Sequence, residues 1–131
     1  MATVLVVEDD PGVRALVTIT LELDGHTTLE APAAEVGLRL LEAQRPPVVV
    51  LDVGMAGLSG LGLLKLIRAD PRLRTTRVLI CTAYPHVREA CMAAGADRFL
   101  VKPVTPTLLR QMVAELAAEI GTERTGTPAV P

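Results

Sequence analysis

The chain is 131 residues long, enough for one ordinary domain and too short for a second core of comparable size. Half of the residues are hydrophobic and 21% are charged, which excludes disorder throughout; only 2% are aromatic, so the core must be aliphatic. A net charge of −2 gives no general pull toward polyanions, so direct binding to DNA or RNA is not expected.

In chain order, five short β-branched or aliphatic runs read as strands: Thr3–Val7, Thr27–Glu30, Val48–Leu51, Val78–Thr82 and Arg98–Val101. Each is followed by helix signals. After the first, Pro11 suits the opening position of a helix whose Val13, Leu16, Val17 and Leu21 share a face, with Gly25 as its stop. Pro32 opens a second helix carrying Ala33, Val36, Leu40 and Leu41 on one side, and Pro46-Pro47 end it. Further helices are predicted over residues 60–69 and 86–94, the latter with Val87, Ala90 and Cys91 inward. In the last, Thr105 caps, Pro106 starts, and Leu109, Met112, Val113, Leu116, Ala117 and Ile120 repeat at threes and fours before Gly121.

Strands alternating with helices imply right-handed crossovers and a parallel sheet covered on both faces. The uninterrupted runs Val4–Val7 and Val48–Leu51 agree, because strands buried on both sides read as continuous apolar segments. The expectation is a five-stranded, doubly wound α/β domain over residues 1–121, followed by a Thr/Pro/Gly tail or linker stub over 122–131. Met1 just before the first strand favours a natural start. No apolar run approaches the ~18 residues of a membrane helix, and the first residues lack a signal peptide's basic flank. Cys81 and Cys91 make neither a disulfide framework nor a metal site, so a reducing cytoplasm is expected.

In a parallel sheet all strands end at one edge, and ligands bind there, where strand order reverses. The residues just past the strands are Glu8, Asp9 and Asp10 after the first, Asp52 after the third, Thr82 closing the fourth, and Lys102-Pro103 after the fifth. An acidic cluster at a helix start ordinarily serves as a cap, and Asp10 beside Pro11 fills that role, leaving Glu8 and Asp9 to spare. Carboxylates from Asp9 and Asp52 meeting at ~4 Å would repel by about 4 kcal/mol at an effective dielectric of 20, so such a pair wants a cation. Oxygen ligands without His or Cys point to Mg²⁺. Lys102 stands out in a chain with two lysines against eleven arginines, as a compact charge suited to a carboxylate or phosphoryl oxygen. Pro103 leaves the isomer of the preceding bond open. Thr82 alone reads as an ordinary strand residue; beside Asp52 its hydroxyl could donate to a phosphoryl oxygen.

Taken together, Val-Leu-Val-Val-Glu8-Asp9-Asp10, Leu51-Asp52-Val-Gly-Met55-Ala-Gly-Leu-Ser-Gly60, Thr82-Ala83 and Lys102-Pro103 resemble the receiver domain of two-component response regulators over about residues 3–120. The resemblance implies a flavodoxin-like fold with strand order 2-1-3-4-5. It also implies that Asp52 is the phosphoacceptor, taking a phosphoryl group from a histidine kinase or phosphotransfer protein. Asp9 would bind Mg²⁺ directly and Glu8 through water, with Asp52 and the Gly54 carbonyl completing the protein ligands. Lys102 and Thr82 would contact the phosphoryl oxygens, and Phe99, three residues before Lys102, occupies the family's switch-aromatic position; by composition alone a core side chain is the better reading, and only the spacing to Lys102 argues otherwise. The output would be a surface around the fourth helix and fifth strand, read by a downstream protein; whether a homodimer forms through the face between the fourth and fifth helices is left open.

The family usually has Met-Pro where this chain has Met55-Ala56, so a looser loop after the acceptor is expected. Gly54 and Tyr84, two residues beyond Asp52 and Thr82, pull in opposite directions on access of water, which leaves the lifetime of the modified state open. Among competing readings, a Mg²⁺-dependent aspartyl-phosphate phosphatase needs an acid two residues after its nucleophile, where this chain has Gly54. A flavin or nucleotide module needs a phosphate loop where Glu8-Asp9-Asp10 would repel phosphate. A pseudo-receiver acting only as an interaction platform is disfavoured because all four chemical positions are filled. The chain therefore reads as a phosphoacceptor signalling domain rather than an enzyme, with at most self-phosphotransfer and autodephosphorylation.

Overall fold

The computed structural model describes residues 1–54 and 60–120. The tail expected over 122–131 and the loop expectation at Met55-Ala56 lie outside the described residues.

Among the described residues the strands are β1 (Thr3–Val7), β2 (Thr27–Ala31), β3 (Val48–Leu51), β4 (Arg77–Thr82) and β5 (Arg98–Val101). The helices between and after them are α1 (Pro11–Leu23), α2 (Ala34–Gln44), α3 (Gly60–Ala69), α4 (Arg88–Ala93) and α5 (Pro106–Ala118). All pairings are parallel and the sheet order is β2-β1-β3-β4-β5, the doubly wound topology expected from the alternation. Order reverses at β1, so a crevice opens between the ends of β1 and β3.

Period-two alternation divides the apolar side chains of the central strands between two cores. Leu5, Val7, Val49, Leu51, Val78 and Ile80 pack with Leu41, Leu63, Leu64, Ile67 and Cys91 on one face. Val4, Val6, Val48, Val50, Leu79 and Cys81 pack with Val17, Leu21, Leu109, Val113 and Leu116 on the other. The two cysteines therefore sit on opposite faces of the sheet, both as free thiols.

Local signals set the helix starts. Asp10 caps α1, its Oδ1 accepting from the Gly12 and Val13 amides at 2.8 and 3.0 Å. The Thr105 hydroxyl accepts from Leu108 N at 3.3 Å to cap α5, with Pro106 next. Gly25, at φ 91°, ends α1 in a left-handed conformation that costs glycine little.

Four expectations need correction. Leu16 is 53% exposed rather than inward, because α1 turns Val17, Thr18, Thr20 and Leu21 to the protein. The two threonines tolerate burial because their hydroxyls donate to Ala15 O and Leu16 O at 3.1 and 2.7 Å. Ala90 is exposed, since a 3₁₀ turn over Pro85–Val87 precedes α4 and leaves Cys91 as that helix's buried residue. The second helix starts at Ala34, with Ala33 as a cap that makes no side-chain hydrogen bond. Finally, β4 starts one residue earlier than expected, at Arg77, which is 1% exposed. Its guanidinium lies 3.7 Å from Asp97 Oδ1 and donates to Glu119 O at 2.9 Å, so charged partners at the pole opposite the crevice hold it.

Candidate functional site

The sheet ladder seats three of the expected residues one step past their strands. Glu8 N donates to Ala31 O at 3.0 Å, Asp52 N to Val7 O at 3.0 Å and Lys102 N to Thr82 O at 2.7 Å. Backbone hydrogen bonding therefore fixes where these side chains begin, before any contact among the side chains themselves.

Those contacts converge. The Lys102 ammonium donates to Glu8 Oε1 and lies 3.5 Å from Asp52 Oδ2. Glu8 Oε2 accepts from the Asp10 amide at 3.2 Å, and Asp52 Oδ1 from the Gly54 amide at 3.1 Å. Glu8 and Asp52 are buried and Asp9 is exposed; one carboxylate oxygen from each lies within 4.8 Å of the others. The Lys102-Pro103 bond, left open by the sequence, is cis.

Burial pushes the Glu8 carboxyl above its usual range, outweighing the lowering by the Lys102 and Asp10 hydrogen bonds. Burial works against the Lys102 charge as well, but there the Glu8 hydrogen bond and the Asp52 charge prevail and raise its pKa. The ammonium therefore stays charged between two acids. Burial also pushes the nearby Cys81 thiol up to about 12, which keeps it neutral.

Thr82 is fully buried at the end of β4, and its hydroxyl accepts from Tyr84 N at 3.2 Å. Phe99 does not join the acidic cluster. It pairs with Ile80 across the β4–β5 ladder, two positions before Thr82 meets Val101, and packs in the core with Cys91 and Ala96. Gly54 is brought against Tyr84: a Cβ on Gly54 would stand 2.9 Å from Tyr84 Cε2, so the ring takes the space a side chain there would need.

Two neighbours of the site were not anticipated. Arg14 donates to Glu8 O at 2.8 Å and pairs with Glu30 at 3.2 Å, tying the ends of β1 and β2 to α1. Gly60 approaches so closely that an added Cβ would stand 2.1 Å from Asp52 O. A lone arginine on an exposed helix turn carries no sequence signal for the first role; a glycine opening a helix was a usable hint of the second.

Two buried carboxylates and one exposed carboxylate at a crevice, with oxygen donors alone and one fixed ammonium, are suited to a small divalent cation and to phosphoryl chemistry. The sequence matches the response regulator receiver domain family over residues 4–114, and the chain belongs to that family. It is thus a receiver domain of two-component signalling, a class of signalling domain rather than a conventional enzyme. Protein PilH of Pseudomonas aeruginosa is 32% identical over 120 residues, 89% of this chain and 99% of PilH. A 14.6 kDa protein of Leptolyngbya boryana is 36% identical over 114 residues, 86% of this chain and 87% of its own length. The crystal structure of the response regulator TrrA from Thermotoga maritima, in complex with Mg²⁺ and BeF, shares 31% identity with a TM-score of 0.81, covering 88% of this chain and 99% of TrrA. Other curated relatives are longer: the chain spans 48% of one and 24% of another. No helix among the described residues is long and apolar enough to cross a membrane.

Proposed function

We propose that Asp52 accepts a phosphoryl group from the phosphohistidine of a histidine kinase or phosphotransfer protein, and that the resulting change of surface is read by a downstream protein. One arrangement carries this reading: the Lys102 ammonium 3.5 Å from Asp52 Oδ2, with Glu8 and Asp9 converging on the same carboxylate. An Asp52 oxygen attacks phosphorus in line as the phosphorus–nitrogen bond breaks, and the electron pair of that bond returns to the imidazole. No general base is needed, because a carboxylate is already the nucleophile.

Asp9 would ligate Mg²⁺ directly and Glu8 through water, with Asp52 and the Gly54 carbonyl as the other protein ligands. One carboxylate oxygen from each of Glu8, Asp9 and Asp52 lies within 4.8 Å of the others, and a set of oxygen donors alone suits a small, hard cation. When bound, the ion supplies charge neutralisation between the carboxylate and the phosphoryl oxygens. Lys102 and Thr82 contact those oxygens; Thr82 leaves Tyr84 N to do so, and Phe99 responds to its movement. The unit that does this spans residues 1–121, with 122–131 as a tail or linker, and it works in the cytoplasm with no chemistry beyond self-phosphotransfer and autodephosphorylation.

The test is to titrate the protein with beryllofluoride in the presence of Mg²⁺ and to compare it with Asp52→Asn. Saturable Mg²⁺-dependent binding in the parent and none in the variant is expected; equal behaviour of the two overturns the assignment.

A further inference from the structure

Phe99, on β5, is the chain's single phenylalanine and is buried, at 8% exposure. What meets its outer side is a cation: Arg88, the first residue of α4, holds its Cζ 5.4 Å from the ring centroid. This is within the range at which a guanidinium is drawn to an aromatic face. Having no hydroxyl, Phe99 offers no hydrogen bond to anchor it in either an inward or an outward position. Its inward placement therefore rests on apolar packing with Ile80, Cys91 and Ala96 and on Arg88.

Arg88 is also placed to respond to the acidic crevice. Five residues separate it from Thr82, and hydrogen bonds step along that segment. Tyr84 N donates to the Thr82 hydroxyl at 3.2 Å, Val87 N to Tyr84 O at 3.3 Å, and Arg88 N to Pro85 O. A movement of the Thr82 hydroxyl releases the first of these and loosens the turn that sets where the guanidinium stands.

We propose that Arg88 is a cationic brace that holds Phe99 inward and so sets the threshold at which the α4–β5 face changes. The coupling to Asp52 rests on the function proposed above; the brace itself does not. Arg88 is exposed, so its removal leaves the core intact and takes from the inward position the contact seen at 5.4 Å.

Because there is one phenylalanine, incorporation of 4-fluorophenylalanine gives a single ¹⁹F resonance from Phe99, whose H₂O/D₂O isotope shift reads ring exposure. The parent is expected to give a solvent-protected signal. Arg88→Gln is expected to raise the exposed population about two- to fivefold without any phosphoryl analogue, the weight of a partly exposed cation–π contact. Arg88→Lys, which keeps the cation, should lie close to the parent. An Arg88→Gln spectrum and isotope shift that superimpose on the parent's overturn the brace, as does an Arg88→Lys variant shifted as far as Arg88→Gln. A parent that ignores Mg²⁺ and beryllofluoride speaks against the acceptor role of Asp52, and the comparison without these additions still decides the brace.

Discussion

Lys102 and Glu8, 94 residues apart in sequence, are joined at the sheet edge by a direct hydrogen bond, and the same ammonium lies 3.5 Å from Asp52. The lysine therefore belongs to the acidic cluster before any phosphoryl group arrives, and it links the end of β5 to those of β1 and β3.

Removing that link separates acceptance from response. Lys102→Ala keeps the nucleophile and the acidic oxygens but loses a charged donor aimed at the transferred group. Phosphorylation by a small phosphodonor is expected to be roughly 10²-fold slower, the usual weight of one such donor. The Phe99 ¹⁹F signal should then stay at its unmodified position even when the adduct has formed. A normal Phe99 response in the modified variant contradicts the role given to Lys102.

Neighbouring aspartates have different duties. Asp10 spends its side chain on the Gly12 and Val13 amides, whereas Asp9 points its carboxylate toward Glu8 and Asp52. Asp10→Ala should cost about 1 kcal/mol in denaturant unfolding and leave Mg²⁺ affinity unchanged in calorimetry. Asp9→Ala should do the reverse. Exchanged outcomes would mean that the cap and the ligand had been assigned the wrong way round.

Gly60 is required by close approach. A methyl group there would stand 2.1 Å from Asp52 O and 2.6 Å from Val53 Cα, both backbone atoms that cannot swing aside. Gly60→Ala should destabilise by roughly 1–3 kcal/mol, and because the strain falls on Asp52 it should also slow phosphoryl acceptance. Parent-like stability and rate would show that the helix start is free to shift.

Cys81 supplies a pH test. Burial lifts its pKa to about 12, so folding favours the neutral thiol. That contribution is fully present below the ordinary thiol pKa of ~8.5 and is lost as pH rises through the folded value. Alkylation at mildly alkaline pH should therefore be slow in the native protein and fast after denaturation. Equal rates in the two states would contradict the burial.

Much of the fold was legible because the sequence carries it locally. The unbroken Val4–Val7 and Val48–Leu51 runs marked buried strands, and Asp10-Pro11 and Thr105-Pro106 marked helix starts. The candidate site was legible because a parallel sheet sends every strand end to one edge, so Glu8, Asp9, Asp52, Thr82 and Lys102 could be gathered without knowing any distance. What escaped depends on tertiary geometry. Periodicity gives the spacing of apolar residues but not the rotation of a helix on its sheet, which is how Leu16 and Ala90 came to face outward. Arg77 at a strand start reads as solvated until Asp97 and Glu119, from other segments, are seen to meet it. The contact of Arg88 with Phe99 joins two elements whose packing no local pattern specifies.

The acceptor assignment stands or falls on a covalent product. The parent and Asp52→Asn are each incubated with Mg²⁺ and acetyl phosphate, and their intact masses are recorded before and after hydroxylamine. The parent is expected to gain one phosphoryl group, which hydroxylamine removes as it does any acyl phosphate, while the variant gains none. A parent that gains nothing, or a variant that gains the same labile group, contradicts Asp52 as the acceptor.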